Sequence, residues 1–108
     1  MNEYIMVFVT AKDKQQAEGI TQLLLKERLI ACANIVSPVM SFFYWMGKID
    51  TAEECLVIMK SRKDLFDEVA AHVGRLHSYE VPEVLAIPIV EASKAYLDWM
   101  SVVLRPES

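Results

Sequence analysis

Proline placement among the apolar runs constrains this chain more than any other feature. Tyr4–Thr10 reads Tyr-Ile-Met-Val-Phe-Val-Thr and Cys55–Met59 reads Cys-Leu-Val-Ile-Met, and neither contains proline. Ile30–Tyr44 contains Pro38, and Val84–Val90 contains Pro88. Proline has no N–H to give to a ladder, so the proline-bearing runs belong at sheet edges or at bulges. The two uninterrupted runs are the expected central strands, the first of them buried on both faces.

Helical patterns lie between the runs. Asp13 stands three residues before Gln16, a helix-start spacing. Ala17, Ile20, Leu23, Leu24 and Leu25 then recur at helical spacing, with Lys14, Glu18, Gln22 and Lys26 between them. Ser61 with Asp64 opens a second helix, which carries Leu65, Phe66, Val69, Ala70, Val73 and Leu76 on one face and ends before Pro82. Ser93 is the expected N-cap of a short terminal helix with Tyr96, Leu97 and Met100 on one side. Phe42-Phe43-Tyr44-Trp45 runs into Gly47, the natural turn of a hairpin.

The resulting order is β-α-β-β-α-β plus a helix, an α+β chain of the ferredoxin-like split β-α-β type. Right-handed crossovers place both main helices on one face of a four-stranded antiparallel sheet. That topology makes the first and third strands central and the second and fourth edges, in agreement with the prolines. A single domain over 1–108 is expected from the length.

Charge and cysteine content exclude several classes. Eleven basic residues stand against 15 acidic ones, for a net charge of −4. A chain of that sign without a basic run is a poor binder of phosphate backbones, so nucleic acid is not an expected partner. No apolar stretch approaches a membrane span and the N-terminus has no basic region, so no membrane partner and a cytoplasmic location are expected. Gly19, Gly47 and Gly74 are scattered and form no phosphate-cradling loop. Nor is there a recognisable nucleophile–base spacing, and the chain is read as non-enzymatic. An acylphosphatase-like hydrolase would need an arginine in the loop after the first strand, where Ala11-Lys12-Asp13 stands.

The second strand is long, apolar and at an edge, which invites pairing with another chain. Four consecutive aromatics at the hairpin tip make an unusually large apolar patch for a monomer. A homo-oligomer is therefore expected, with Phe42, Phe43, Tyr44 and Trp45 in the interface.

The two cysteines lie on different stretches of the hairpin. With the turn at Met46-Gly47, Cys55 falls opposite about Pro38 and Cys32 lies roughly 20 Å further along, too far for a disulfide. They read as small buried hydrophobes, with a soft-metal role for Cys32 as the other reading. His72 is expected on a helix surface. His77 opens a polar segment with Tyr79, Glu80 and Glu83 beside Pro82. The group reads either as a metal or small-ligand site or as a hydrogen-bonded helix stop. Lys60, Glu54 and Glu80 are charged groups able to converge at a subunit boundary, which the sequence does not place.

Several motifs together resemble a known family. Leu29-Ile-Ala-Cys-Ala-Asn-Ile35, Tyr44-Trp-Met-Gly-Lys-Ile49 with Glu53-Glu54, His77-Ser-Tyr-Glu-Val-Pro-Glu83, Pro88-Ile89 and Tyr96-Leu-Asp-Trp99 resemble, in order, the signatures of the divalent-cation tolerance (CutA) family. The resemblance implies a homotrimer similar to PII-type signalling proteins, with metal tolerance, copper binding or signalling as its role and no established reaction. No cofactor is required, and a divalent metal such as copper is the implied ligand. His77 is the metal-ligand candidate, with Cys32 second, and Tyr79, Glu80, Glu83 and Lys60 are the ligand-binding candidates. The chain departs from the family at Ser78, where proline is usual, at Val9, where some members carry cysteine, and at Leu76, where some carry a second histidine. The alternative is a trimeric structural or signalling scaffold that binds a protein partner or small ligand without metal.

Overall fold

The computed structural model describes residues 3–107. Positions 1, 2 and 108 of the expected domain, and with them the first two residues of the N-terminal reading, lie outside the described residues. The elements are β1 (Tyr4–Ala11), α1 (Lys14–Lys26), β2 (Cys32–Trp45), β3 (Lys48–Arg62), a 3₁₀ turn (Lys63–Leu65), α2 (Phe66–Leu76), β4 (Val84–Pro88) and α3 (Lys94–Val103). The four strands form one antiparallel sheet in the order β2-β3-β1-β4. The strands free of proline are central, and those carrying Pro38 and Pro88 are at the edges.

Local chemistry explains the boundaries. The Asp13 side chain accepts the Gln16 N–H at 2.8 Å and starts α1. The Ser93 hydroxyl accepts the Tyr96 N–H and starts α3. Met46 and Gly47 both have positive φ, 51° and 78°, and close a two-residue turn between Trp45 and Lys48. That backbone matches the twist of the flanking strands, and glycine adopts it without steric cost.

At Pro38 the β2–β3 register slips. Val36 faces Leu56 but Val39 faces Glu54, so three residues of β2 span two of β3. This one-residue bulge changes which β2 side chains point to each face. Before it Cys32, Asn34 and Val36 share a face with Lys60, Ile58 and Leu56; after it Val39, Ser41, Phe43 and Trp45 share that same face.

The helices cover the opposite face. Ile5, Val7, Val9 and Ala11 of β1 pack with Cys55, Val57 and Met59 of β3 and with Ala17, Ile20, Leu24, Val69 and Val73 of the helices. The expectation that β1 is buried on both faces is corrected for the single chain, because its residues are alternately buried and half-buried. The other side bears Met6, Phe8, Leu56, Ile58, Leu85 and Ile87, and there Leu85 and Ile87 remain 44% and 45% exposed.

The start of the second helix is also corrected. Ser61 is a strand residue, fully buried, whose hydroxyl donates to the Leu29 carbonyl at 2.6 Å rather than capping a helix. Asp64 pairs with Arg62 in the 3₁₀ turn, and α2 begins at Phe66. Leu76, expected on the apolar face, is 42% exposed.

Candidate functional site

β3 runs seven residues past the end of β1, since Ala11 pairs with Cys55 and the strand begins at Lys48. The β2–β3 hairpin therefore overhangs the rest of the sheet. The segment between α2 and β4 stands opposite its overhanging face. Between them lies a cavity of about 690 Å³. The hairpin lends it Ser41, Phe42, Phe43, Trp45, Asp50 and Glu54; Thr10 is at its base; and Tyr79, Glu80, Val81 and Glu83 form the other wall.

A chain of contacts holds that other wall in place. His77 is buried. Its Nε2–H donates to the Thr10 carbonyl at 2.6 Å, and its Nδ1 accepts the Tyr79 N–H at 3.1 Å. These two bonds fix one neutral tautomer. The His77 and Tyr79 rings are in contact, with centroids 4.6 Å apart. The Tyr79 hydroxyl then donates to Glu54 Oε2 at 2.8 Å. The Ser78 hydroxyl accepts a hydrogen bond from the Gln16 side chain at 3.0 Å and ties the segment to α1.

Burial, the Glu54 hydrogen bond and the Glu54 charge, in that order, push the Tyr79 phenol up to about 12 from the usual 10. A raised phenol stabilises the fold fully below the unfolded value and loses that contribution as pH rises through the folded one. An ultraviolet tyrosinate titration is expected to show a step near pH 12, shared with Tyr96, whose amplitude falls by one tyrosine in Tyr79→Phe. A Tyr79→Phe titration identical to wild type would contradict the bond to Glu54.

Of the expected residues, the structure brings Tyr79, Glu80 and Glu83 together around the cavity and sets His77 behind them as a pin. Lys60 is not brought there within one chain. It lies six residues along β3 from Glu54, roughly 20 Å away, and its ammonium bonds to Asn34. Cys32 pairs across from Lys60, and its thiol is 3.1 Å from the Tyr96 hydroxyl. That hydrogen bond, then burial, then the thiol's charge push Tyr96 up to about 12. Cys32 and Cys55 are both free, and Cys55 sits against Ser37.

Asp50 and Thr10 are site residues that the sequence did not point to, and Glu54 was named there only as a charged group at a subunit boundary. The readable signal was parity, since Glu54 alternates with Leu56 and Ile58 on one side of β3. The aromatics Phe42, Tyr44 and Trp45 are 71%, 78% and 64% exposed, so the tip does not pack on its own core.

The residues do not fit a metal ion within one chain. Among the described residues no group of three or more His, Cys, Asp or Glu is placed to hold one. Both His77 nitrogens are already hydrogen-bonded, and the Cys32 thiol has a phenol partner. Among the described residues no helix is long and apolar enough to cross a membrane.

Comparison with known proteins bears on this arrangement. The family model of the CutA1 divalent ion tolerance protein matches residues 5–102. A divalent-cation tolerance protein CutA of Archaeoglobus fulgidus is 44% identical over 94 residues, 87% of this chain and 91% of the relative. A chloroplastic protein CutA 1 of rice is 40% identical over 96 residues, 89% of this chain, which spans 54% of that relative's length. The solved structure of a periplasmic divalent cation tolerance protein CutA from Archaeoglobus fulgidus superposes with a TM-score of 0.92 at 40% identity, covering 94% of this chain and 99% of the other. With the family model matched over residues 5–102, a relative 44% identical over 87% of the chain and a superposition at a TM-score of 0.92, the chain belongs to the CutA1 divalent ion tolerance family.

Proposed function

We propose that the protein is a non-enzymatic homotrimer, PII-like in architecture, that responds to divalent cations, copper among them, through the cavity beneath the hairpin. The observation that carries the assembly is the sheet face opposite the helices. Met6, Phe8, Leu56, Ile58, Leu85 and Ile87 form an apolar surface there, continuous with the overhanging side of the hairpin. An open face of that character is covered by closed symmetric association. Cytoplasmic placement is part of the same proposal.

Metal would be drawn by the carboxylates around the cavity, with ligands from more than one chain. His77 would then have to release Thr10 or Tyr79. Divalent ions take the neutral imidazole, so binding through His77 weakens as it protonates. Copper titration of wild type and His77→Ala, at about pH 5 and about pH 7.5, tests the assignment. Weaker binding in the variant and at the lower pH is expected. Equal affinity in all four cases would remove His77 as a ligand.

The engagement of both His77 nitrogens favours a second reading. On it the trimer is a scaffold whose cavity takes a small ligand or a protein partner without metal, and His77 serves to hold Tyr79 against Glu54.

A further inference from the structure

Two charges on the open sheet face lack a counter-charge. Register places Glu54, Leu56, Ile58 and Lys60 of β3 on that face, an acid and a base flanking two apolar residues. Glu54 is 7% exposed, and its side-chain partner is the neutral Tyr79 hydroxyl. Lys60 is half-buried, and its side-chain partner is the neutral Asn34 amide oxygen. Among the described residues neither forms an ion pair. Arg62, by contrast, is also buried and has Asp64. Glu54 and Lys60 do not balance each other within one chain, because six residues of extended strand set them roughly 20 Å apart. Covering the face strips water from both, and a charge buried that way is costly without its opposite.

The hairpin supplies the geometry. It leaves its own sheet at Glu54, since Ala11, the last residue of β1, pairs with Cys55. Beyond that point Phe43 and Trp45 share the side of Glu54, and both are exposed. Laid across the open face of the next copy, these rings meet an apolar surface of the kind formed by Met6, Phe8, Leu85 and Ile87. We propose that Lys60 of each copy pairs with Glu54 of the next in a head-to-tail ring of three, so that a neighbouring chain's ammonium closes the cavity beneath the hairpin. The strip on β3 is self-complementary when its basic end meets another copy's acidic end, whereas Glu54 on Glu54 is repelled. Lys48, another unpaired cation on that face, stands exposed at the hairpin tip. The proposal rests on the trimeric reading above and names the contact that sets its register.

The test is a double-substitution cycle on the full-length protein: Glu54→Gln, Lys60→Met and the two combined. Sedimentation across a dilution series reads assembly, and circular dichroism reads folding. Glutamine still accepts the Tyr79 hydroxyl, so Glu54→Gln removes the charge alone. Each single substitution strands the other charge in the covered face and is expected to weaken assembly at least about tenfold. The combined variant is expected to assemble no worse than the weaker single one. Positions roughly 20 Å apart in one chain otherwise act additively, so the shortfall reports a contact between copies. Additive losses, or wild-type assembly in both single variants, would overturn the ion pair and leave the trimer standing. A wild-type mass other than three chains would remove the trimeric reading and the ring with it. Carbodiimide coupling of the wild-type protein, read by peptide mass, decides the same point if a single variant does not fold. An amide joining Glu54 to Lys60 of another chain is expected, and coupling of Lys60 only to other carboxylates would overturn the proposal.

Discussion

Asp64→Ala is expected to lower the unfolding free energy by about 2–3 kcal/mol, more than any other single surface-charge deletion in the chain. Arg62 is 1% exposed, at the end of a central strand. Its guanidinium donates to both Asp64 oxygens and to the Arg105 carbonyl, which anchors the end of the chain beyond α3. Removing Asp64 leaves a buried charge with one carbonyl for company, and breaking such pairs costs about 3–5 kcal/mol when both partners are buried. The Asp64 side chain is 40% exposed, which places the effect at the lower end. The Arg105–Glu68 pair sets the contrast. It is short, at 2.6 Å, but its side chains are 35% and 52% exposed, so Glu68→Ala is expected to cost below about 1 kcal/mol. Urea unfolding at one fixed protein concentration measures both. Equal losses in the two variants would contradict the account of Arg62.

Ile58→Glu is expected to dissociate the assembly or make the protein insoluble. Ile58 lies on the face opposite the helices, opposite Phe8 of β1 and Asn34 of β2, so the helix-side core does not depend on it. In a trimer joined through that face, each copy would bury an unpaired carboxylate, at a cost on the order of 3 kcal/mol per chain. Lys14→Glu, on the exposed first turn of α1, is the control and is expected to leave the mass unchanged. A variant Ile58→Glu that keeps the wild-type mass and melting point would place the interface elsewhere.

Much of this architecture was written in local chemistry. Asp13, Ser93 and the Met46-Gly47 turn each act through neighbours within a few residues, so their roles are legible from spacing. Pro38 and Pro88 mark the edges because the missing N–H is a property of the residue itself. Ser61 was misread for the converse reason. Its spacing to Asp64 fits a cap, but its hydroxyl is claimed by the Leu29 carbonyl 32 residues away.

The cavity was legible in part. Tyr79, Glu80 and Glu83 are close in sequence and fall on one wall. The hairpin's contribution depends on the bulge, which turns Phe43 and Trp45 rather than Tyr44 toward the face that carries Glu54. A proline marks that a bulge is permitted, but the size of the register slip is set by pairing with β3. His77 drew attention as a ligand because its residue type suggests one. Its two hydrogen bonds, to Thr10 and Tyr79, come from the tertiary approach of β1 and appear in no local pattern. The apolar run of β1 promised burial on two faces, and one chain supplies a cover for one of them.

That missing cover is the point on which the account turns. Sedimentation equilibrium of the wild-type protein at micromolar concentration measures it without any substitution. A mass three times that of one chain, unchanged on dilution across that range, is the expected result. The mass of a single chain, stable and soluble with its apolar sheet face open, would contradict it.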